Sequence, residues 1–272
     1  MSLVSTNWLN ENLDKVKVLD ASWHMPSSKR NGLEEYKKQH IQNSIFFDLD
    51  KLSDQDTDLP HMLSSSEIWS KNISNLGINN EDKIIIYDNS DVLSSCRCWY
   101  NFIYYGHDPN LVSVLDGGLE KWKSEARQLS DEKVSIKNSI YESNEKREMV
   151  KNIDQINKNI FEKKFQVLDA RSRERFEGKV PDPRKNVKSG SIPNSICLPF
   201  NEVINKDKTF KSTQDLRSLF LQTLQNDNKN LVFSCGSGVT ACILALAYSL
   251  VDNTYTPTIY DGSWAEYGKV NN

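Results

Sequence analysis

Cys235-Gly236-Ser237-Gly238-Val239-Thr240 is the segment whose residue types and spacing most directly suggest chemistry. It separates a run with strand character, Leu231-Val232-Phe233-Ser234, from an apolar helical run, Ala241-Cys242-Ile243-Leu244-Ala245-Leu246-Ala247-Tyr248. The two glycines let the chain turn sharply and adopt positive φ angles. A tight turn entering a helix N-terminus directs its amide hydrogens inward as an anion-binding nest. A cysteine at its mouth faces those amides and the positive helix end, and both favour thiolate over thiol. The chemistry this supports is attack by sulfur, with the nest holding the thiolate or a persulfide anion formed on it. The plain alternative is a buried structural cysteine, since free cysteine is among the most buried residue types. The Gly-x-Gly turn and the helix start favour the functional reading. No such context surrounds the other thiols. Cys96 and Cys98 flank Arg97, Cys197 lies in Ile196-Cys197-Leu198, and Cys242 follows on the apolar helix, so these four read as structural.

The elements that must position this loop alternate between strand and helix. Lys17-Val18-Leu19-Asp20, Ile84-Ile85-Ile86-Tyr87 and Val112-Ser113-Val114-Leu115 are short apolar runs, and Ser66 to Leu76 has helical periodicity ending at Gly77. That alternation predicts α/β units with mostly parallel sheets flanked by helices. The second half then repeats the first. Val18-Leu19-Asp20-Ala21 returns as Val167-Leu168-Asp169-Ala170, Asn43-Ser44-Ile45 as Asn194-Ser195-Ile196, and Leu115-Asp116-Gly117-Gly118 as Tyr260-Asp261-Gly262-Ser263. The period, near 150 residues (167 − 18 = 149), is too long for a solenoid and implies two tandem domains. The expected layout is a first domain over 1–125, a polar linker over 126–147, and a second domain over 148–272. Aligning Ile84-Ile85-Ile86-Tyr87-Asp88 with Leu231-Val232-Phe233-Ser234-Cys235 puts Asp88 at the cysteine position, so only the second domain is expected to be catalytic.

Composition narrows the function. Of 272 residues, 38% are hydrophobic and 26% charged, and the net charge is −3, so no global positive field exists to hold nucleic acid or anionic lipid. No apolar run is long enough to cross a membrane, and no basic-then-apolar leader opens the sequence. Five cysteines without scaffold spacing favour free thiols in a reducing compartment, hence a cytoplasmic expectation. His24, His40, His61 and His107 are scattered without metal-ligand spacing, so neither metal nor cofactor is expected.

The loop Cys235 to Thr240 resembles the active-site loop of 3-mercaptopyruvate sulfurtransferases, in the rhodanese superfamily of tandem-domain sulfurtransferases. Tyr260-Asp261-Gly262-Ser263-Trp264, Val18-Leu19-Asp20-Ala21-Ser22-Trp23 and Phe46-Phe47-Asp48 resemble other segments of that family, so the likeness spans nearly the whole chain. It implies two rhodanese-like domains and a two-step reaction. Cys235 takes sulfur from 3-mercaptopyruvate, pyruvate leaves, and a thiol such as reduced thioredoxin, or cyanide, takes the sulfur from a persulfide. It also implies that Arg175 and Arg184 meet the donor's carboxylate, a role suited to the planar guanidinium fork. On the same basis Gly236, Gly238, Val239 and Thr240 line the donor site and Ser237 bonds the donor's carbonyl or enolate. His40 matches a family histidine, and Arg171 is expected to be a structural partner. Gly190-Ser191-Ile192-Pro193 departs from the family's usual Gly-His-Ile-Pro.

Three other readings compete. A cysteine phosphatase needs Cys-x5-Arg, but the sixth residue after Cys235 is Ala241. A non-catalytic rhodanese-like binding module suits the Asp88 domain better than the Cys235 domain. A thiosulfate sulfurtransferase differs only in its donor. Thiosulfate-preferring relatives carry basic residues directly after the nucleophile, where this loop has Gly236 and Ser237. Backbone amides and a helix end, worth a partial charge of about +0.5, compensate a dianion poorly. The expected donor is therefore 3-mercaptopyruvate.

Overall fold

Continuous apolar runs become parallel strands covered on both faces, as the burial of such strands requires. The computed structural model describes residues 2–224 and 230–270. In chain order its strands are β1 Leu3–Val4, β2 Lys17–Asp20, β3 His40–Ile41, β4 Ser44–Phe46, β5 Ile84–Tyr87, β6 Val112–Leu115, β7 Leu129–Ser130, β8 Val150–Lys151, β9 Phe165–Asp169, β10 Ile196–Cys197, β11 Asn230–Ser234 and β12 Ile259–Tyr260. One sheet runs β1-β6-β5-β2-β4 and the other β10-β9-β11-β12-β8, and every pairing within them is parallel. β3 and β7 form a separate antiparallel ribbon. The duplicated α/β architecture expected from the sequence is present.

β5 and β11 are the middle strands, and Ile84 to Tyr87 and Leu231 to Ser234 are buried throughout. The helix Ser95–Tyr104 packs on β5 and β6, and the helix Ala241–Ser249 on β11 and β12. The latter has no polar stripe from Ala241 to Ala247, which is how a helix covered on all sides reads. Other helices are opened by local side chains. Ser65 accepts the Ile68 amide, and Asn152 and Gln155 form a reciprocal capping box.

The chain divides into two compact units, each with one of the sheets. The first is the chain up to Gln55, with Leu63–Lys146 and Lys206–Phe210; the second is Asp56–Met62, Arg147–Asn205 and the chain from Lys211 on. Their loop connections match. Ala21 N–H donates to Tyr87 O and Ala170 N–H to Ser234 O, each at 2.8 Å. The stretch read as a linker is bound to the first unit over much of its length. Tyr141 N–H donates to Ser74 Oγ, Ser143 N–H to Ser70 Oγ, and the buried Tyr141 ring stacks on His107. Serines spaced along the helix Ser66–Asn75 supply these partners, a signal that polar composition alone reads as solvent-facing.

Candidate active site

Parallel α/β sheets offer ligand crevices outside the carboxyl ends of their strands. Cys235 directly follows β11, the middle strand, and is 2% exposed. Gly238 takes φ +76°, the left-handed conformation that the turn requires of a glycine. Gly236 does not have a positive φ, and its role is different. A Cβ added there would lie 3.3 Å from Arg184 Nη2, 3.4 Å from Arg184 Nη1 and 3.5 Å from Arg175 Nη2. Its missing side chain is what lets both guanidiniums stand beside the residue after Cys235.

The loop is held by Ser263. Its hydroxyl accepts the amides of Cys235 at 3.2 Å and Gly238 at 3.1 Å, and donates to Tyr260 O at 2.8 Å. Trp264 N–H donates to Cys235 O and Ala265 N–H to Gly236 O, so the start of the helix Ser263–Tyr267 fixes the loop's carbonyls. The carbonyls of Val239 and Thr240 accept from Cys242 and Ile243, opening the following helix. Among the described residues, the amides of Gly236, Ser237, Val239 and Thr240 meet no protein acceptor. That leaves a set of donors for an anion beside Cys235.

Arg175 comes from the helix Arg173–Phe176, which follows β9 and is capped by Ser172, and Arg184 from the Pro181-Asp182-Pro183-Arg184 loop. Both meet Asp182: Arg175 Nη2 at 2.8 Å from Oδ2, Arg184 Nη1 at 3.2 Å from Oδ1. Asp182 Oδ1 also accepts the Arg184 amide at 3.0 Å. Burial alone would push the Asp182 carboxyl up, but that amide and the two guanidiniums hold it below the usual carboxylate range. Arg175 Nε is buried without a protein partner. Pairing with Asp182 therefore leaves donor capacity on the arginines toward Gly236.

His61 Nδ1 lies 3.0 Å from Ser237 Oγ, inside the second unit, and this contact was absent from the sequence reading. His61 has φ +62° and is 8% exposed. His40, the histidine expected near the site, belongs to the first unit. Its Nδ1 meets Tyr36 O at 2.7 Å and its ring stacks on Tyr36, which gives it a packing role. His61 is thus the histidine whose ring meets a side chain of the Cys235 loop. A signal existed only in three dimensions, because Asp56–Met62 joins the unit built mainly from the chain's second half.

The remaining residues bracket the site. Arg171 grips Asp169 through Nε and Nη2, donates to Gly190 O, and lies over the Trp264 ring at 4.5 Å, the structural role expected of it. Burial pushes the Cys197 thiol up to about 12 and the Cys98 thiol well above its usual range, and Cys242 Sγ lies 3.2 Å from Gly238 O. In the first unit Asp88 follows β5 as Cys235 follows β11. Its carboxylate accepts Ser90 N–H at 2.7 Å and Ser95 N–H at 2.9 Å. A carboxylate of the chain itself thus occupies amides of that turn.

The rhodanese-like domain family matches residues 5–125 and 152–269. Thiosulfate/3-mercaptopyruvate sulfurtransferase 1, mitochondrial, of Arabidopsis thaliana is 38% identical, over 97% of this chain and 75% of its own length. The 3-mercaptopyruvate sulfurtransferase of Homo sapiens is 35% identical, over 98% of this chain and 91% of its own. Among solved structures, the 3-mercaptopyruvate sulfotransferase SseA of Escherichia coli superposes with a TM-score of 0.87 at 30% identity, covering 97% of this chain and 99% of that one.

Proposed function

This chain belongs to the rhodanese-like domain family, and from that premise we propose that it is a sulfurtransferase using Cys235 as nucleophile and 3-mercaptopyruvate as donor. The observation that carries the reading is the convergence on Cys235 of unengaged loop amides and two guanidiniums beside Gly236. In the first half-reaction the Cys235 thiolate attacks the donor's sulfur. The S–S bond forms, the donor's C–S bond breaks, and its electron pair stays on carbon as the enolate of pyruvate, which then takes a proton. The sulfur remains on Cys235 as a persulfide whose charge faces the loop amides. In the second half-reaction an acceptor thiolate or cyanide attacks the outer sulfur, and Cys235 leaves as thiolate.

Arg175 and Arg184 hold the donor's carboxylate in this reading. Ser237, hydrogen-bonded to His61, donates to the donor's carbonyl oxygen as negative charge grows there, and the pair supplies the proton route to the enolate. Gly238, Val239 and Thr240 shape the nest. A thiol carrier such as thioredoxin is the acceptor in this reading, and the protein is assigned to a reducing compartment such as the cytoplasm, which five cysteines outside any disulfide support. Among the described residues no helix is long and apolar enough to cross a membrane.

The test is sulfur transfer to cyanide from both 3-mercaptopyruvate and thiosulfate. Cys235→Ser should abolish transfer while keeping the fold. Arg175→Ala and Arg184→Ala should each lower kcat/KM for 3-mercaptopyruvate by roughly one to two decades, the worth of a charge-assisted contact. Full activity in Cys235→Ser overturns the assignment of the nucleophile, and unchanged kinetics in both arginine variants removes them from the donor site.

A further inference from the structure

We propose that Asp182 sets donor specificity by cancelling one of the two positive charges that Arg175 and Arg184 bring to the site. The inference rests on the reading of those arginines as donor contacts. Asp182's carboxylate is 2% exposed and lies between both guanidiniums, one oxygen toward each. Against its burial, the backbone hydrogen bond from Arg184 and the two cationic neighbours hold its carboxyl below the usual carboxylate range, so it stays ionised. The three side chains together therefore present a net charge of +1 beside Gly236, where two unopposed arginines would present +2. 3-Mercaptopyruvate brings one carboxylate charge and thiosulfate two. A buried carboxylate this close repels a dianion about twice as strongly as a monoanion, because the Coulomb energy scales with the charge. Asp182 thus does two things with one group: it aims both forks at Gly236, and it matches their charge to a monoanionic donor.

Asp182→Asn separates these effects. Its Oδ1 can still accept both contacts from Arg184, so the loop keeps its turn while Arg175 loses its carboxylate partner. The experiment measures kcat and KM for 3-mercaptopyruvate and thiosulfate in the wild type, Asp182→Asn and Asp182→Glu. It is accompanied by the thermal stabilisation of each protein by sulfate and by pyruvate, a dianion and a monoanion. In Asp182→Asn the thiosulfate-to-3-mercaptopyruvate ratio of kcat/KM should rise about tenfold to a hundredfold, mainly through KM. Sulfate should gain on pyruvate as a stabiliser, and Asp182→Glu should restore the wild-type ratio. Should Asp182→Asn fail to fold, Asp182→Ser removes the charge while keeping an acceptor for the Arg184 amide, and the same shift is expected. A ratio unchanged within twofold, with both donors weakened alike, overturns the proposal and leaves Asp182 a brace. An equal shift in Asp182→Glu overturns it too. If the wild type transfers sulfur from neither donor, the sulfurtransferase reading fails, and the comparison of sulfate with pyruvate still decides whether Asp182 screens charge.

Discussion

Ser263 and Gly118 hold equivalent places in the two units, each in the left-handed region, with φ +48° and +56°. Trp264 N–H donates to Cys235 O at 3.0 Å just as Leu119 N–H donates to Asp88 O at 2.9 Å. In the first unit a Cβ on Gly118 would lie 2.6 Å from Asp88 O, so the position tolerates only glycine. In the second unit a side chain is present, at a backbone conformation that costs a non-glycine residue about 1 kcal/mol. In return its hydroxyl accepts the amides of Cys235 and Gly238. Ser263→Ala keeps the strain and loses these bonds, and should lower unfolding free energy by about 1–3 kcal/mol per lost bond. Ser263→Gly loses the same bonds but relaxes the backbone, and should be the more stable of the two by about 1 kcal/mol. Urea unfolding of the three proteins checks the order. An alanine variant at least as stable as the glycine variant would show that φ at 263 carries no strain.

Equivalent strands end in carboxylates that fare differently. β9 ends in Asp169, which Arg171 pairs through three contacts of 2.6–3.0 Å. β2 ends in Asp20, where the residue two further on is Ser22 and supplies an amide at 2.9 Å but no cation. Burial therefore dominates at Asp20, and its carboxyl is raised from the ordinary 3.8 to about 6, against hydrogen bonds from Ser22 and Tyr87. Below the ordinary value Asp20 is protonated folded or unfolded, and the protonated form's stability contribution is complete. As pH rises toward 6 the unfolded chain ionises first, and that contribution is lost. The loss amounts to about 3 kcal/mol. Asp20→Asn should not show this fall, so it should gain on the wild type by about that amount between roughly pH 4 and pH 7. Parallel curves for the two proteins over that range would exclude an elevated Asp20.

At the scale of the whole molecule, much was legible because it is local. The two-fold α/β architecture followed from apolar runs repeated near every 150 residues, and the loop from a cysteine placed between a strand and an apolar helix. Arg175 and Arg184 were reached through resemblance, and the structure puts both beside Gly236. His61 was not legible. It contacts Ser237 across 176 residues, through a segment that joins the second unit, and no periodicity reports such an exchange. Asp182 was not singled out either: it stands between Pro181 and Pro183, and its pairing with two guanidiniums depends on how that loop folds, which no spacing reports. The role of Gly236 was misread for a related reason. Sequence suggests a turn, but the backbone there is ordinary and the space is what matters.

The central claim is that sulfur is carried on Cys235, and peptide mass spectrometry tests it most directly. The protein would be treated with 3-mercaptopyruvate, freed of donor, and digested without reductant. The account predicts one added sulfur atom on the peptide holding Cys235, its removal by cyanide, and no added sulfur anywhere in Cys235→Ser. Added sulfur on a peptide holding Cys96, Cys98, Cys197 or Cys242, with the Cys235 peptide unmodified, would contradict it.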